Sequence, residues 1–256
     1  MTISIRGVRI NRISTEDLSK RCLQILQGVQ RARPYQVVTV NPEFIMEAQK
    51  NAPFRAVLND ADCALADGVG LVLASGVLYG WRNRLLRITG VDFTLMLANL
   101  CARTGKSMYL LGADAGVAEK AADALQKKYP SLRVAGAEEG IKKDESGIMN
   151  DELRDDDICK KITESNTDVL LVAFGAPGQD LWIARNAESL RGVKIVVGVG
   201  GTFDYLAGVV PYAPQWVRSV GFEWLYRLIT QPRRFRRIVT AVIHFPLAVL
   251  CHKFHH

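Results

Sequence analysis

The feature that most constrains this chain is the regular alternation of short apolar runs with longer stretches of helical periodicity. Apolar or β-branched runs fall at Gln36–Val40, Asp62–Ala66, Ser107–Leu111, Leu132–Ala135, Asp168–Phe174 and Val193–Val199, the length and composition of buried strands. Helical patterns lie around them, at Thr15–Val29, Pro42–Asn51, Val69–Tyr79, Val91–Arg103, Gly116–Lys128 and Gly178–Ser189. Asn41-Pro42-Glu43 is a strong helix start: Asn can cap, Pro suits the first helical position, and Glu complements the helix dipole. The alternation predicts an α/β fold, Rossmann-like, with a mainly parallel sheet and helices on both faces. The polar stretch Glu138–Asp157 reads as a surface excursion, and Asp155-Asp156-Asp157 as a solvated helix start.

Charge divides the chain in two. Of 33 Lys+Arg and 26 Asp+Glu, which give a formal charge of +7, residues 209–256 hold seven basic residues and one acid, Glu223. The first 208 residues are left with 26 basic and 25 acidic, nearly neutral. All four histidines and eight of the twenty aromatic residues also lie in the tail. The organisation expected is a body at 1–208 followed by a helical, basic and aromatic appendage at 209–256. Five widely spaced cysteines without a Cys-x-x-Cys pair fit a reducing cytoplasm better than a disulfide framework or a zinc site. The start, MTISIRGVRINRI, lacks the apolar core of a signal peptide. The longest uncharged apolar run, Ile238–Leu250, would rise only about 20 Å as a helix, too little to span the hydrocarbon of a bilayer.

In an open parallel sheet, ligands sit beyond the carboxyl ends of the strands. The polar residues there include Thr39 and Asn41, Asp67 before Gly68, Gln179 in GAPGQD, and Asp204 in GVGGTFD. Asp67 suits either a general base in a partly desolvated cleft or the cap of the next helix. Thr39 and Asn41 alternate along one strand face and could donate to a sugar; Asn41 could equally serve only as a helix cap. GVGGTFD carries two glycines of a dinucleotide fingerprint but has Phe203 at the third, and no acidic residue follows at the required distance. A glycine turn near phosphate or ribose fits it better, with a plain tight turn as the alternative. Asp60-Ala-Asp62 has the spacing of a metal-binding Asp pair, but it precedes its strand and reads as a surface turn. The body has no histidine, so a His triad or a His-ligated metal is excluded there. Arg227, Arg234 and Arg237 would share one side of a helix if Pro232 leaves its phase intact. Arginines so placed could grip a diphosphate in bidentate fashion or face anionic lipid.

The ordered set TVNPEF (39–44), ADG (66–68), RITGVDF (87–93), LLGA (110–113), GAPGQD (175–180), GVGGTFDYLAG (198–208) and FEWLYRL…PRRFRR (222–237) resembles the WecG/TagA/CpsF glycosyltransferases over nearly the whole chain. The resemblance implies an inverting, metal-independent enzyme without a cofactor. It would transfer N-acetylmannosamine, its uronic acid or glucose from a UDP-sugar to a polyprenyl-diphosphate-linked saccharide. The place implied is the cytoplasmic face of the cell membrane, with the enzyme peripherally bound to an anionic surface, in cell-surface polysaccharide biosynthesis. It also implies roles: Asp67 as general base, Thr39 and Asn41 beside it positioning sugar, and Arg87 on a phosphate. Gln179 and Asp204 would contact the nucleotide-sugar, and Arg227, Arg234 and Arg237 would close over the site from the appendage. The chain departs from the usual pattern at Pro211-Tyr212, where basic residues are common, and at Gly178 and Asp180, where Lys and Glu are commoner. Nucleic acid is not an expected partner, and self-association into a homo-oligomer is left open. Two rivals stand beside this reading. A dinucleotide-dependent oxidoreductase would need the missing fingerprint. A non-catalytic lipid- or nucleic-acid-binding module would leave Thr39, Asn41, Asp67 and Gln179 at strand ends without a purpose.

Overall fold

The computed structural model of the chain describes residues 1–28, 31–140, 152–214, 216–217, 221–231 and 235–254. Six strands form one sheet, in chain order β3 (Tyr35–Val40), β4 (Cys63–Ala66), β5 (Ser107–Gly112), β6 (Arg133–Glu138), β7 (Val169–Ala173) and β8 (Ile195–Gly198). They lie in the spatial order β4-β3-β8-β7-β5-β6, and every pairing is parallel. The expected α/β, Rossmann-like architecture is therefore present. All six predicted strands belong to this sheet.

Alternation along the strands sends side chains to two cores. On one face Val37, Met108, Leu110, Leu171 and Val197 pack beneath α1 (Thr15–Gln27), α5 (Gly90–Thr104) and α6 (Val117–Lys128). On the other face, Tyr109, Leu111, Val172 and Val196 meet α7 (Glu152–Glu164) and α8 (Gly178–Asn186). At the β3–β4 end, that second face is closed by α2 (Pro42–Ala48), α3 (Ala52–Asp60) and α4 (Val69–Tyr79).

Three elements differ from the sequence expectation. An antiparallel hairpin precedes α1, with β1 (Thr2–Ile5) and β2 (Val8–Asn11) burying Ile3, Ile5, Val8 and Ile10 while Thr2, Ser4 and Arg9 face out. The pattern expected as one helix over Pro42–Asn51 stops at Ala48, because Asn51 caps a new helix by accepting from the Phe54 N–H at 3.0 Å. The third correction concerns the expected surface excursion, whose described end is helix α7. Its Asp155 is buried and accepts from the Trp182 indole N–H at 2.7 Å and from Arg185 at 2.5 Å. A carboxylate satisfied this way can be buried, whereas Asp156 and Asp157 remain exposed as expected.

After α9 (Thr202–Leu206), the appendage supplies α10 (Glu223–Thr230), α11 (Phe235–Val239) and, after a π-helical turn, α12 (Phe245–Phe254). Phe245 and Val249 of α12 are buried in the core over β3 and β4. Among the described residues, no helix is long and apolar enough to cross a membrane.

Candidate active site

The sheet order places β3 and β8 side by side in space although far apart in sequence, and a cavity opens at their carboxyl ends, where α/β sheets take ligands. The cavity measures about 250 Å³. Thr39, Asn41, Asp67, Gln179, Asp204 and Arg237 all line it, brought together from five strand ends and helix starts and from the appendage.

Asp67 follows β4 directly, and its own N–H donates to the Val40 carbonyl at 2.7 Å. Its carboxylate does not cap the next helix: the residue at the cap of α4 is Gly68, with φ +135, and no side chain caps there. Instead Oδ2 accepts from the N–H of Gly90, the first residue of α5, at 3.3 Å. The carboxylate thus faces the positive end of a 15-residue helix. A Cβ at Gly90 would crowd Thr202 Oγ1 at 3.2 Å and meet Asp67 Oδ2 at an ordinary 3.8 Å.

Its neighbours hold local structure and line the same cavity. Thr39 donates its hydroxyl to the Gly198 carbonyl at 3.0 Å, tying β3 to the glycine turn after β8. Asn41 caps α2 through Oδ1, which accepts from the Phe44 N–H at 3.0 Å; its amide NH2 is a donor group. Gln179 is buried beneath the turn and accepts from the Gly200 N–H at 2.9 Å. Any Cβ at residue 198 would collide with Gln179 Nε2 at 2.5 Å, so Gly198 is the residue that lets this side chain in. The GVGGTFD run is thus a tight turn leading into α9, and Asp204 enters the cavity from that helix.

Behind Gln179 lies Asp180, wholly buried, with neither carboxyl oxygen at hydrogen-bond geometry to a partner among the described residues. Burial raises its pKa from 3.8 to about 7, only partly opposed by the Gln179 side chain and the backbone.

Arg87 lines a second cavity, of about 250 Å³, between α4 and the appendage, instead of the first. It is ion-paired there with Glu223 at the start of α10. This second space shares Asn41, Glu43 and Asp67 with the first, so Asp67 stands at the junction of the two. Arg237 projects from the appendage and donates from Nε to Glu43 Oε2 at 2.5 Å. Arg234 lies outside the described residues, as does the side chain of Arg227.

Glu43, Glu223 and the pair Tyr205 and Tyr212 were not among the candidate residues. The two tyrosine rings stand 5.2 Å apart on the cavity wall. Glu43 could have been found as a carboxylate in the first turn of a helix that begins at a strand end. Glu223 carried the signal of being the tail's lone acid. Asp60 and Asp62 lie at the opposite end of the sheet, before β4, where Asp62 accepts from Arg31 at 2.8 Å and from the Gln36 N–H at 2.9 Å. Among the described residues, no group of three or more His, Cys, Asp and Glu is placed to hold a metal ion.

The profile of the "Glycosyl transferase WecG/TagA/CpsF family" matches residues 3–256. An N-acetylglucosaminyldiphosphoundecaprenol N-acetyl-beta-D-mannosaminyltransferase of Bacillus spizizenii is 32% identical over 217 residues, covering 85% of this chain and 79% of that protein. A protein of the same description from Bacillus subtilis is 32% identical over 215 residues, covering 84% of this chain and 78% of its own length.

Proposed function

The chain belongs to the WecG/TagA/CpsF family of glycosyltransferases, and on that premise we propose that it moves an N-acetylmannosamine-type sugar from UDP to an N-acetylglucosamine carried on a polyprenyl diphosphate. The observation that carries this reading is the meeting of two unlike cavities at Asp67, one lined largely by polar groups and one lined mainly by apolar side chains that also holds Arg87 and the carboxylates of Glu43 and Glu223. A nucleotide-sugar suits the first, with Tyr205 and Tyr212 as an aromatic wall for a ring. A lipid-borne acceptor suits the second.

The chemistry is a single displacement. An Asp67 carboxylate oxygen takes the proton from the acceptor hydroxyl, and the acceptor oxygen so freed of its proton bonds to the anomeric carbon from the face opposite the leaving group. The bond from the anomeric carbon to the phosphate oxygen breaks, its electron pair leaves with UDP, and configuration inverts. Negative charge then develops on the departing phosphate, where a fixed cation stabilises it without reorganisation. Arg237, already at the cavity, supplies that cation in place of a metal. Arg87 holds the acceptor's diphosphate in competition with Glu223. The appendage at 209–256 seats the enzyme peripherally on the cytoplasmic face of the membrane, where the acceptor resides.

A panel of UDP-sugars offered with a short-chain polyprenyl-diphosphate N-acetylglucosamine, in the presence of EDTA, tests this proposal. Transfer from UDP-N-acetylmannosamine is expected, with its uronic acid and UDP-glucose as the competing donors. No transfer from any of them, or transfer only when Mn²⁺ or Mg²⁺ is restored, contradicts it.

A further inference from the structure

Arg237 reaches the polar cavity from the appendage, and the group that receives it belongs to the body. Its Nε donates to Glu43 Oε2 at 2.5 Å, across 194 residues of sequence. Glu43 lies in the first turn of α2, a helix fixed at its start by the Asn41 cap and by Pro42. The next two residues, Phe44 and Ile45, are buried in the core. Arg237 sits on the five-residue helix α11, its side chain 50% exposed against 27% for Glu43. The carboxylate is therefore the fixed partner, and the long arginine side chain is the one being placed.

An ion pair this open to solvent adds little to stability. Its position is more informative. Glu43 and Arg237 both line the polar cavity, and both line a neighbouring cavity of about 310 Å³ that extends along α2 to Glu47 and Lys50. The pair thus stands where the two spaces adjoin. Among the described residues that line the polar cavity, Glu43, Asp67 and Asp204 are acidic and Arg237 alone is basic. An arginine without a fixed partner would have other carboxylates to choose from. Asp67 and Asp204 lie on one side, and Glu47, one helical turn from Glu43, on the other. On Asp67 it would compete with the proton that this carboxylate is proposed to take; on Glu47 it would be drawn away from the cavity. Glu43 bonds to Nε, at the root of the guanidinium, and the terminal nitrogens make the fork that suits a phosphate.

We propose that Glu43 is a positioning residue for the transfer reaction: it holds Arg237 at the polar cavity, off Asp67, with the terminal guanidinium nitrogens left to meet the departing phosphate. A cation fixed before the reaction stabilises the developing charge without reorganisation, and one that moves among four carboxylates does not. The inference rests on the reading above that Arg237 supplies this cation.

The test is a double-variant cycle in the full chain, with UDP-N-acetylmannosamine and the short-chain polyprenyl-diphosphate N-acetylglucosamine as substrates. Glu43→Gln keeps the size of the side chain and removes its charge. It is expected to lower kcat about 10–100-fold while the KM for the donor stays within a few-fold of the parent, because a misplaced cation is missed in the transition state. Arg237→Ala should lose about 10²–10³-fold. The double variant should fall no further than Arg237→Ala, since the two side chains act as a unit. Glu47→Gln, which removes a carboxylate from the same helix and leaves the Glu43–Arg237 pair in place, should transfer sugar at the parental rate. Glu43→Ala serves the same cycle if the glutamine variant fails to fold. Parental kcat in Glu43→Gln overturns the proposal, as do losses that multiply in the double variant, the result of a role for Glu43 independent of Arg237. Parental kcat in Arg237→Ala shows instead that the leaving-group reading is wrong, and the positioning role falls with it. No transfer by the parent from any UDP-sugar contradicts the proposed function itself and removes both.

Discussion

Asp67, Asn41 and Thr39 show how one residue can hold a fold together and still line a cavity. Asn41 spends its carbonyl on α2 and keeps its amide, while Thr39 spends its proton on Gly198 and keeps its lone pairs. Asp67 had an even choice between capping and chemistry on sequence grounds; the positive φ of Gly68 turns the chain so that the carboxylate meets α5 instead of α4. Asp180 is the costly residue beside them. Its folded pKa of about 7 exceeds the ordinary 3.8, so between those values the folded state holds the proton more tightly than the unfolded chain. Stability conferred by that proton is fully present below the lower value, falls as pH rises through the window, and is gone above the upper one. Asp180→Asn should therefore unfold at higher urea than the parent at about pH 8, by on the order of a few kcal/mol at most, with the gap narrowing as pH falls and closing below about pH 4. A gap that does not depend on pH would show that the carboxyl is ionised in the folded protein.

Elements with a single clear signal were legible in the sequence, and those whose signal had two readings were not. The sheet strands are largely apolar because helices cover both faces, and their ends located Thr39, Asn41, Asp67, Gln179 and Asp204 in one cavity. The hairpin is hard to read because each strand is only four residues long and its alternation is interrupted at Arg6-Gly7. Both turn residues have positive φ, 49 and 79, as a two-residue hairpin loop requires. Helix α3 has no counterpart among the expected elements, because an Asn cap looks like any surface Asn until the chain is seen to turn. Arg87 and Glu223 could not be paired from sequence, being 136 residues apart. Helix α12 is the element that couples appendage to body. Phe245 is 1% exposed, so Phe245→Ala should cost about 3–5 kcal/mol of stability. A loss below about 1 kcal/mol in urea unfolding would mean that the helix is not docked in solution.

Across the whole molecule, charge and polarity are separated along a line that passes through Asp67. The neutral body supplies a polar cavity, the basic appendage closes an apolar groove against α4, and the two spaces share the carboxylate between them. A charge of +7 spread evenly would have suited nucleic acid; concentrated in 209–256, it suits a diphosphate and an anionic surface. The central claim is that this shared carboxylate removes the acceptor's proton. Turnover and UDP affinity measured together on Asp67→Asn test it most directly. The account predicts that transfer falls by about 10²–10⁴-fold while UDP binds as it does to the parent. Near-parental turnover in that variant would contradict it.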